Sequence, residues 1–277
     1  MSKLRQFVKY LAFNKGSMAA NMIAAVLLAL LPEACFCCEH ADSSLSSPSI
    51  IVINRLVLFL GLFIMSNVVY GVYRIKRKKV LIQGDHRIQV EEGNLFDITD
   101  GKVVINLDEC YTTTVGDAPA DVKPDSICGQ YLKAYPIDNM QELIDAAGVK
   151  PARHKSKYQG RICYEPGTIV PNGRFLLMAF TKLDENGVGR LTYDEYVSCL
   201  NLLWQQIDVH CGTGDVYLPV LGSGIVRFDR ELNQQQLLDV MVGSYRLSSH
   251  KLKEQHTLHI VCRPRDGFSL NRVFGIE

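Results

Sequence analysis

The sequence predicts a two-part chain, an N-terminal two-helix transmembrane hairpin followed by a layered α/β domain. Three observations carry this expectation. Two apolar stretches, 17–38 and 50–73, stand at the front of the 277 residues, each of the length that crosses a bilayer. The basic run "RIKRKK" closes the second. Beyond it, segments rich in β-branched and aromatic residues alternate with segments of helical periodicity, the pattern of an α/β fold. The hairpin region is 1–83 and the globular domain 84–277.

The flanks orient the hairpin, because Lys and Arg stay on the cytoplasmic side and acidic residues count for little. Lys3, Arg5, Lys9 and Lys15 precede the first span; Arg74, Lys76, Arg77, Lys78 and Lys79 follow the second; the loop "EHADSSLSSPS" carries no Lys or Arg. A two-pass topology with both termini cytoplasmic follows. A cleaved signal peptide is the rival reading of the first span, but Pro32 and Glu33 stand where small neutral residues should prepare cleavage. Either way the large domain lies in the cytoplasm. Glu33 and Arg55 lie near the outer ends of their spans, where snorkelling accounts for them and a pair of Arg55 with Glu33 or Glu39 is the sharper alternative. Cys35, Cys37, Cys38 and His40 are crowded on one helix end, a poor arrangement for a tetrahedral zinc ion. The other six cysteines are scattered singly, as in a reducing compartment.

In the domain, strands are expected at 87–91, 102–106, 168–170, 175–181, 215–220 and 258–262, and helices at 138–147, 192–209 and 230–247. "TYDE" opens the second helix as a capping box. The strand "VYLPVL" runs into Gly222-Ser223-Gly224 and is expected to lead straight into a helix. That arrangement would aim backbone N–H groups and a helix dipole at an anion. Such a turn is also ordinary turn chemistry. A second strand end, "VVINLDECYTTT", leaves Asn106 at the start of a polar loop, and α/β ligands gather beyond strand ends. "DENGVGRLTYDE" nearly matches a calcium loop, but Val188 occupies a ligand position and Thr192 to Glu195 already forms a cap, so no metal site is expected. No catalytic constellation is legible, and near-balanced charge gives no reason to expect nucleic acid.

"RIQVEEGNLFDITDGKVVINLDECY" with "GDVYLPVLGSGIVRF" downstream resembles the macro domain, a family of ADP-ribose-binding three-layer α/β/α modules. More narrowly, "SICGQYL", "YEPGTIV", "LLMAFTKLDENGVGRLTYDEYVSCLNLLW" and "VLGSGIVR" are similar to the macro-type domain of Thoeris antiphage defence effectors, and with two spans to the membrane-bound effectors of the second type of that system. The resemblance implies a receptor at the bacterial inner membrane for an ADP-ribose derivative, histidine-ADP-ribose, made from NAD by a partner TIR-domain enzyme. Binding would drive homo-oligomeric assembly and disruption of the lipid bilayer. It implies no resident cofactor.

Carried over onto this chain, the resemblance makes Gly222, Ser223, Gly224, Ile225, Val226, Arg227 and Phe228 the diphosphate loop, with Arg227 an unusual cation there. Asn106 corresponds to the start of the loop near the distal ribose, and Ser126 and Gly129 to where that loop meets its helix. Gly93-Asn94-Leu95 stands where the family often has Gly-Asp-Ile, leaving Asn94 to pair with adenine through its amide. The Gly-rich run of macro hydrolases is absent, which favours a receptor over a hydrolase using Asn106 or Asp108 to position water; a passive membrane tether is the third reading. His86, His154, His210 and Tyr111 are candidates for the extra moiety.

Overall fold

A computed structural model describes residues 21–26, 30–32, 47–75, 79–82, 86–211 and 214–273. The chain divides into two compact units, Met1–Arg77 and Lys78–Glu277.

In the first unit, α1 (Ser47–Ile75) contains Ile51–Val69, the one helix among the described residues long and apolar enough to cross a membrane. Its Leu56, Val57, Ile64 and Met65 are exposed. Of the expected first span, 21–26 are helical and 30–32 are described; the rest, with Glu33, Glu39, Cys35, Cys37, Cys38 and His40, lies outside the described residues. Two contacts join the segments. The Ser66 hydroxyl donates to Asn21 Oδ1 at 2.7 Å, and Arg55 donates to the Leu31 carbonyl at 3.0 Å.

The second unit is built on a mixed sheet of β1 (Lys79–Ile82), β2 (Arg87–Glu92), β3 (Lys102–Asp108), β4 (Ile169–Asn172), β5 (Phe175–Leu183), β6 (Gly189–Leu191), β7 (Val216–Pro219), β8 (Arg227–Phe228) and β9 (Thr257–Cys262), in the order β1-β2-β9-β7-β3-β5-β6-β8, with β4 also on β5. Its centre, β2-β9-β7-β3-β5, is parallel. A parallel centre must be covered on both faces, and period-two alternation does this. Val104, Leu176, Met178 and Phe180 pack with α4 (Tyr193–His210) and α5 (Gln234–Leu247); Val103, Ile105, Leu107, Leu177 and Ala179 pack with α2 (Ile127–Ala134) and α3 (Met140–Ala146). Both large helices are fixed at their starts by reciprocal capping boxes, Thr192 with Glu195 and Asn233 with Gln236.

Three features depart from the sequence-based expectation. The sheet begins at Lys79, because Val80 and Ile82 alternate inward beside basic residues that read as membrane flank. Short strands β6 and β8 carry no periodic signal of their own, and helix α2, whose Cys128, Tyr131 and Leu132 fall at helical spacing on its buried face, is absent from the expected elements. And no helix follows Gly222-Ser223-Gly224 directly: the chain passes through β8 first, and α5 starts only at Gln234, where Asn233 provides the cap that the glycine turn lacks.

Candidate functional site

Beyond the carboxyl ends of β3, β7 and β9 lies a cavity of about 640 Å³. Its floor is made where β3 and β5 slip register by a bulge between Leu107 and Asp108, a device that re-aims side chains at a strand end. Ten of the twelve residues expected at the site line it: Asn94, Leu95, Asn106, Ser126 and the turn from Gly222 through Arg227. Gly129 and Phe228 do not. They act underneath, where the chain needs close approach. A Cβ on Gly129 would stand 2.2 Å from the Lys123 carbonyl oxygen, so glycine lets α2 lie against its own entering loop. The Phe228 ring lies against Gly222, whose φ of +80° and 2.7 Å clearance for a Cβ admit glycine alone. Tyr196 supports that ring edge-on at 5.5 Å and donates its hydroxyl to the Leu221 carbonyl at 3.2 Å.

The cavity is rich in donors without acceptors. Among the described residues, the N–H groups of Gly222, Gly224 and Ile225 donate to nothing, while Ser223 donates to the Val220 carbonyl. Opposite them is the start of α2. Ser126 caps it by accepting from the Gly129 N–H at 3.0 Å, leaving the first helical N–H groups, Ile127 and Cys128, at the cavity wall. The helix dipole expected directly after the glycine turn is therefore supplied by a different helix, across the cavity. Arg227, Arg263 and Arg265 are exposed at the rim, and Arg227 forms no ion pair among the described residues. Two walls of N–H groups under a cationic rim suit a dianion such as a diphosphate.

Polar side chains divide into free and committed. The Asn106 amide makes no hydrogen bond among the described residues and faces the cavity as a donor and acceptor. Asn94 is committed: Nδ2 donates to Asp97 Oδ1 at 2.9 Å, and Oδ1 accepts from Arg263 at 2.7 Å. It thus holds Arg263 at the rim. Asp108 Oδ1 accepts from the Cys110 and Thr112 N–H groups at 2.8 and 3.3 Å, tying down its own loop. Burial pushes the Asp108 carboxyl above the usual range, against those hydrogen bonds and Arg161.

Sequence reasoning missed the walls contributed by residues 119–123, the 187–189 turn, Thr181, Gln234, Arg263 and Arg265. They come from separate segments with no shared motif. One signal was available: Gly187, in the near-match to a calcium loop, has φ +79° and sits so close to Ala120 that a Cβ would come within 2.6 Å of its methyl group. The turn closes the cavity against the 119–123 loop. Two of its four acids are otherwise engaged. Asp184 accepts from the Asn186 and Val188 N–H groups and from Arg190, and Glu195 from Thr192 and Lys182. None of His86, His154, His210 and Tyr111 lines the cavity; Tyr111 donates its hydroxyl to the Thr168 carbonyl at 2.9 Å inside the core.

Comparison with known proteins bears on the same segment. A curated relative, Thoeris protein ThsA of Bacillus amyloliquefaciens (strain Y2), is 25% identical over 194 residues, covering 66% of this chain. The chain in turn spans 65% of that relative's length. Among solved structures, the macrodomain of Thermus aquaticus DarG aligns with a TM-score of 0.37 and 13% identity over 64% of this chain and 97% of that domain, a likeness too slight to bear on function. The family described as "Thoeris protein ThsA, Macro domain" matches residues 88–263, the whole span from β2 to the end of β9 and well over half the chain, so the chain belongs to the Thoeris ThsA macro-domain family.

Proposed function

We propose that this chain is a ligand-gated membrane effector of antiphage defence, whose macro-type domain binds an ADP-ribose derivative. The observation that carries the reading is the facing pair of N–H walls, Gly222 to Ile225 and Ile127 to Cys128, under the exposed Arg227. A diphosphate placed between them meets donors already oriented, at no reorganisation cost. The free Asn106 amide, on the floor, suits a ribose hydroxyl. The messenger is histidine-ADP-ribose from a TIR-domain enzyme. A receptor fits better than a hydrolase because the Asp108 carboxyl that could activate water is turned to the Cys110 and Thr112 N–H groups.

The membrane arm is a two-span hairpin at the inner membrane with both termini cytoplasmic. Support comes from the exposed apolar surface of Ile51–Val69 and from the two contacts Asn21 to Ser66 and Leu31 to Arg55, whose order is that of antiparallel segments. Ligand binding favours self-association of the domains, which gathers the hairpins and breaches the bilayer; the shift can be no larger than the ligand's preference for the assembled state. The test is dye release from liposomes carrying the full chain. Histidine-ADP-ribose should release dye, and Gly222→Val should abolish the response. Ligand that binds without releasing dye would remove the membrane arm and leave a tethered binding module.

A further inference from the structure

Away from the cavity, three residues far apart in sequence meet beside the end of β3. A Glu109 carboxylate oxygen, a His154 ring nitrogen and the Cys163 sulfur all lie within 4.8 Å of one another. None of the three lines the ligand cavity. Two of them, His154 and Cys163, belong to the stretch where the fold is least regular: from 147 to 168 the chain forms no helix or strand, only the isolated bridge Lys155 to Ile162. Irregular segments of that length inside a domain need something besides a ladder to hold them.

Glu109 is the hub. Its backbone accepts from the Tyr164 N–H at 2.8 Å, and its Oε1 accepts from the Ser156 hydroxyl at 2.6 Å and the Leu183 N–H at 3.1 Å. Yet the residue is 2% exposed, its Oε2 accepts no hydrogen bond among the described residues, and no Lys, Arg or His nitrogen of those residues forms an ion pair with it. Lys182, on the neighbouring strand, acts on Glu109 electrostatically but bonds to Glu195 at 2.9 Å, so Oε2 is left without a direct cationic partner among the described residues. A thiol and an imidazole set beside it are the ligands that would bring a cation there.

We propose that Glu109, His154 and Cys163 form a zinc site that staples the 147–168 segment to the end of β3. One sulfur, one imidazole nitrogen and one carboxylate oxygen make a donor set that zinc accepts readily, with the fourth position left to water beside the exposed His154. Zinc bonds of about 2.0–2.3 Å put tetrahedral ligand atoms roughly 3.3–3.7 Å apart, so the three must draw together by about 1 Å. His154, whose side chain is half exposed, rotates away from Glu165, 3.8 Å off, and the Cys163 thiol gives up its bond to the His154 carbonyl, while side-chain torsions of Glu109 and Cys163 close the remaining gap. On binding, the Cys163 thiol loses its proton to solvent and the Glu109 charge is matched. Asp108, the next residue, lines the ligand cavity, so the staple fixes the strand end from which that cavity is built.

The test uses the full chain in detergent, with Zn²⁺ and the spectroscopic stand-in Co²⁺ as probes, comparing wild type with Cys163→Ser and His154→Ala. Both variants keep Cys35, Cys37 and Cys38, so differences from wild type read this site alone. Wild type should carry one more zinc per chain than Cys163→Ser and show a thiolate-to-cobalt absorption that the variant lacks. His154→Ala, at an exposed position that cannot unfold the core, should weaken zinc by at least about tenfold, since even outer partners of a metal are worth ~10–100-fold. Equal zinc content in wild type and Cys163→Ser, no cobalt–thiolate difference band, or unchanged zinc affinity in His154→Ala would each overturn the site.

Discussion

Two cavities open side by side on this domain and share the wall Gly93, Asn94 and Val261, yet only the larger sets Lys and Arg side chains beside its acids, Asp108, Asp121 and Asp125. The larger, of about 640 Å³, presents unclaimed backbone N–H groups and the side chains of Lys123, Arg227, Arg263 and Arg265. The smaller, of about 420 Å³, is walled by Glu91, Glu92, Asp97 and Asp100. In it His259 stacks on Tyr217 at 4.2 Å, with its ring nitrogens 2.9 Å from Glu91 and 3.3 Å from Asp215. Size alone would admit a small ligand in either. Potential separates them: a diphosphate gains donors in the first and meets carboxylates in the second. Asn94, between the two, links Arg263 on one side to Asp97 on the other.

Breaking the first cavity should have the largest effect. Gly222→Val forces a side chain onto a backbone at φ +80° and into the Phe228 ring, and should lower unfolding stability by about 2 kcal/mol and abolish ADP-ribose binding. Denaturant melts and titration read the two losses separately. A Cβ at Gly224 meets nothing within 4 Å and the backbone there needs no positive φ, so Gly224→Trp should leave stability within about 0.5 kcal/mol while its ring obstructs the cavity and weakens ligand at least tenfold. Arg227→Ala removes one charge-assisted contact at the rim and should cost about tenfold in affinity, more at low salt than at high. Asp108→Asn sharpens the comparison through pH. The folded-state carboxyl is raised by burial, so its contribution to stability is present below the unfolded value and is lost as pH rises through the folded value; the asparagine variant should lose that part of the pH dependence and melt higher than wild type at neutral pH. The smallest effect belongs to the second cavity: Glu91→Gln should change ADP-ribose affinity less than about twofold.

Much of this architecture is legible in the residues themselves. Alternation in "KVVINLD" and "FLLMAFTKL" gives the buried strands, "TYDE" gives a cap that the fold makes bond for bond, and the glycine turn after "VYLP" marks a cavity wall. What periodicity does not reveal is which helix supplies the free N–H groups. The turn and α2 are separated by nearly a hundred residues and meet only because β3 and β7 are sheet neighbours. Asn94 shows the same limit differently. In the fold Asp97 and Arg263 each hold one end of its amide, partners that no local pattern in the sequence announces. Local periodicity determines elements; partner assignments across the sheet depend on topology.

The larger cavity is expected to hold an ADP-ribose derivative without cleaving it. Calorimetric titration of the full chain in detergent with ADP-ribose and with histidine-ADP-ribose, followed by chromatography of the recovered ligand, tests this directly. Saturable binding near one ligand per chain, tighter for the conjugate, lost in Gly222→Val and returning the ligand intact, is the result expected. No heat with either ligand, or recovery of cleaved product, would contradict the receptor.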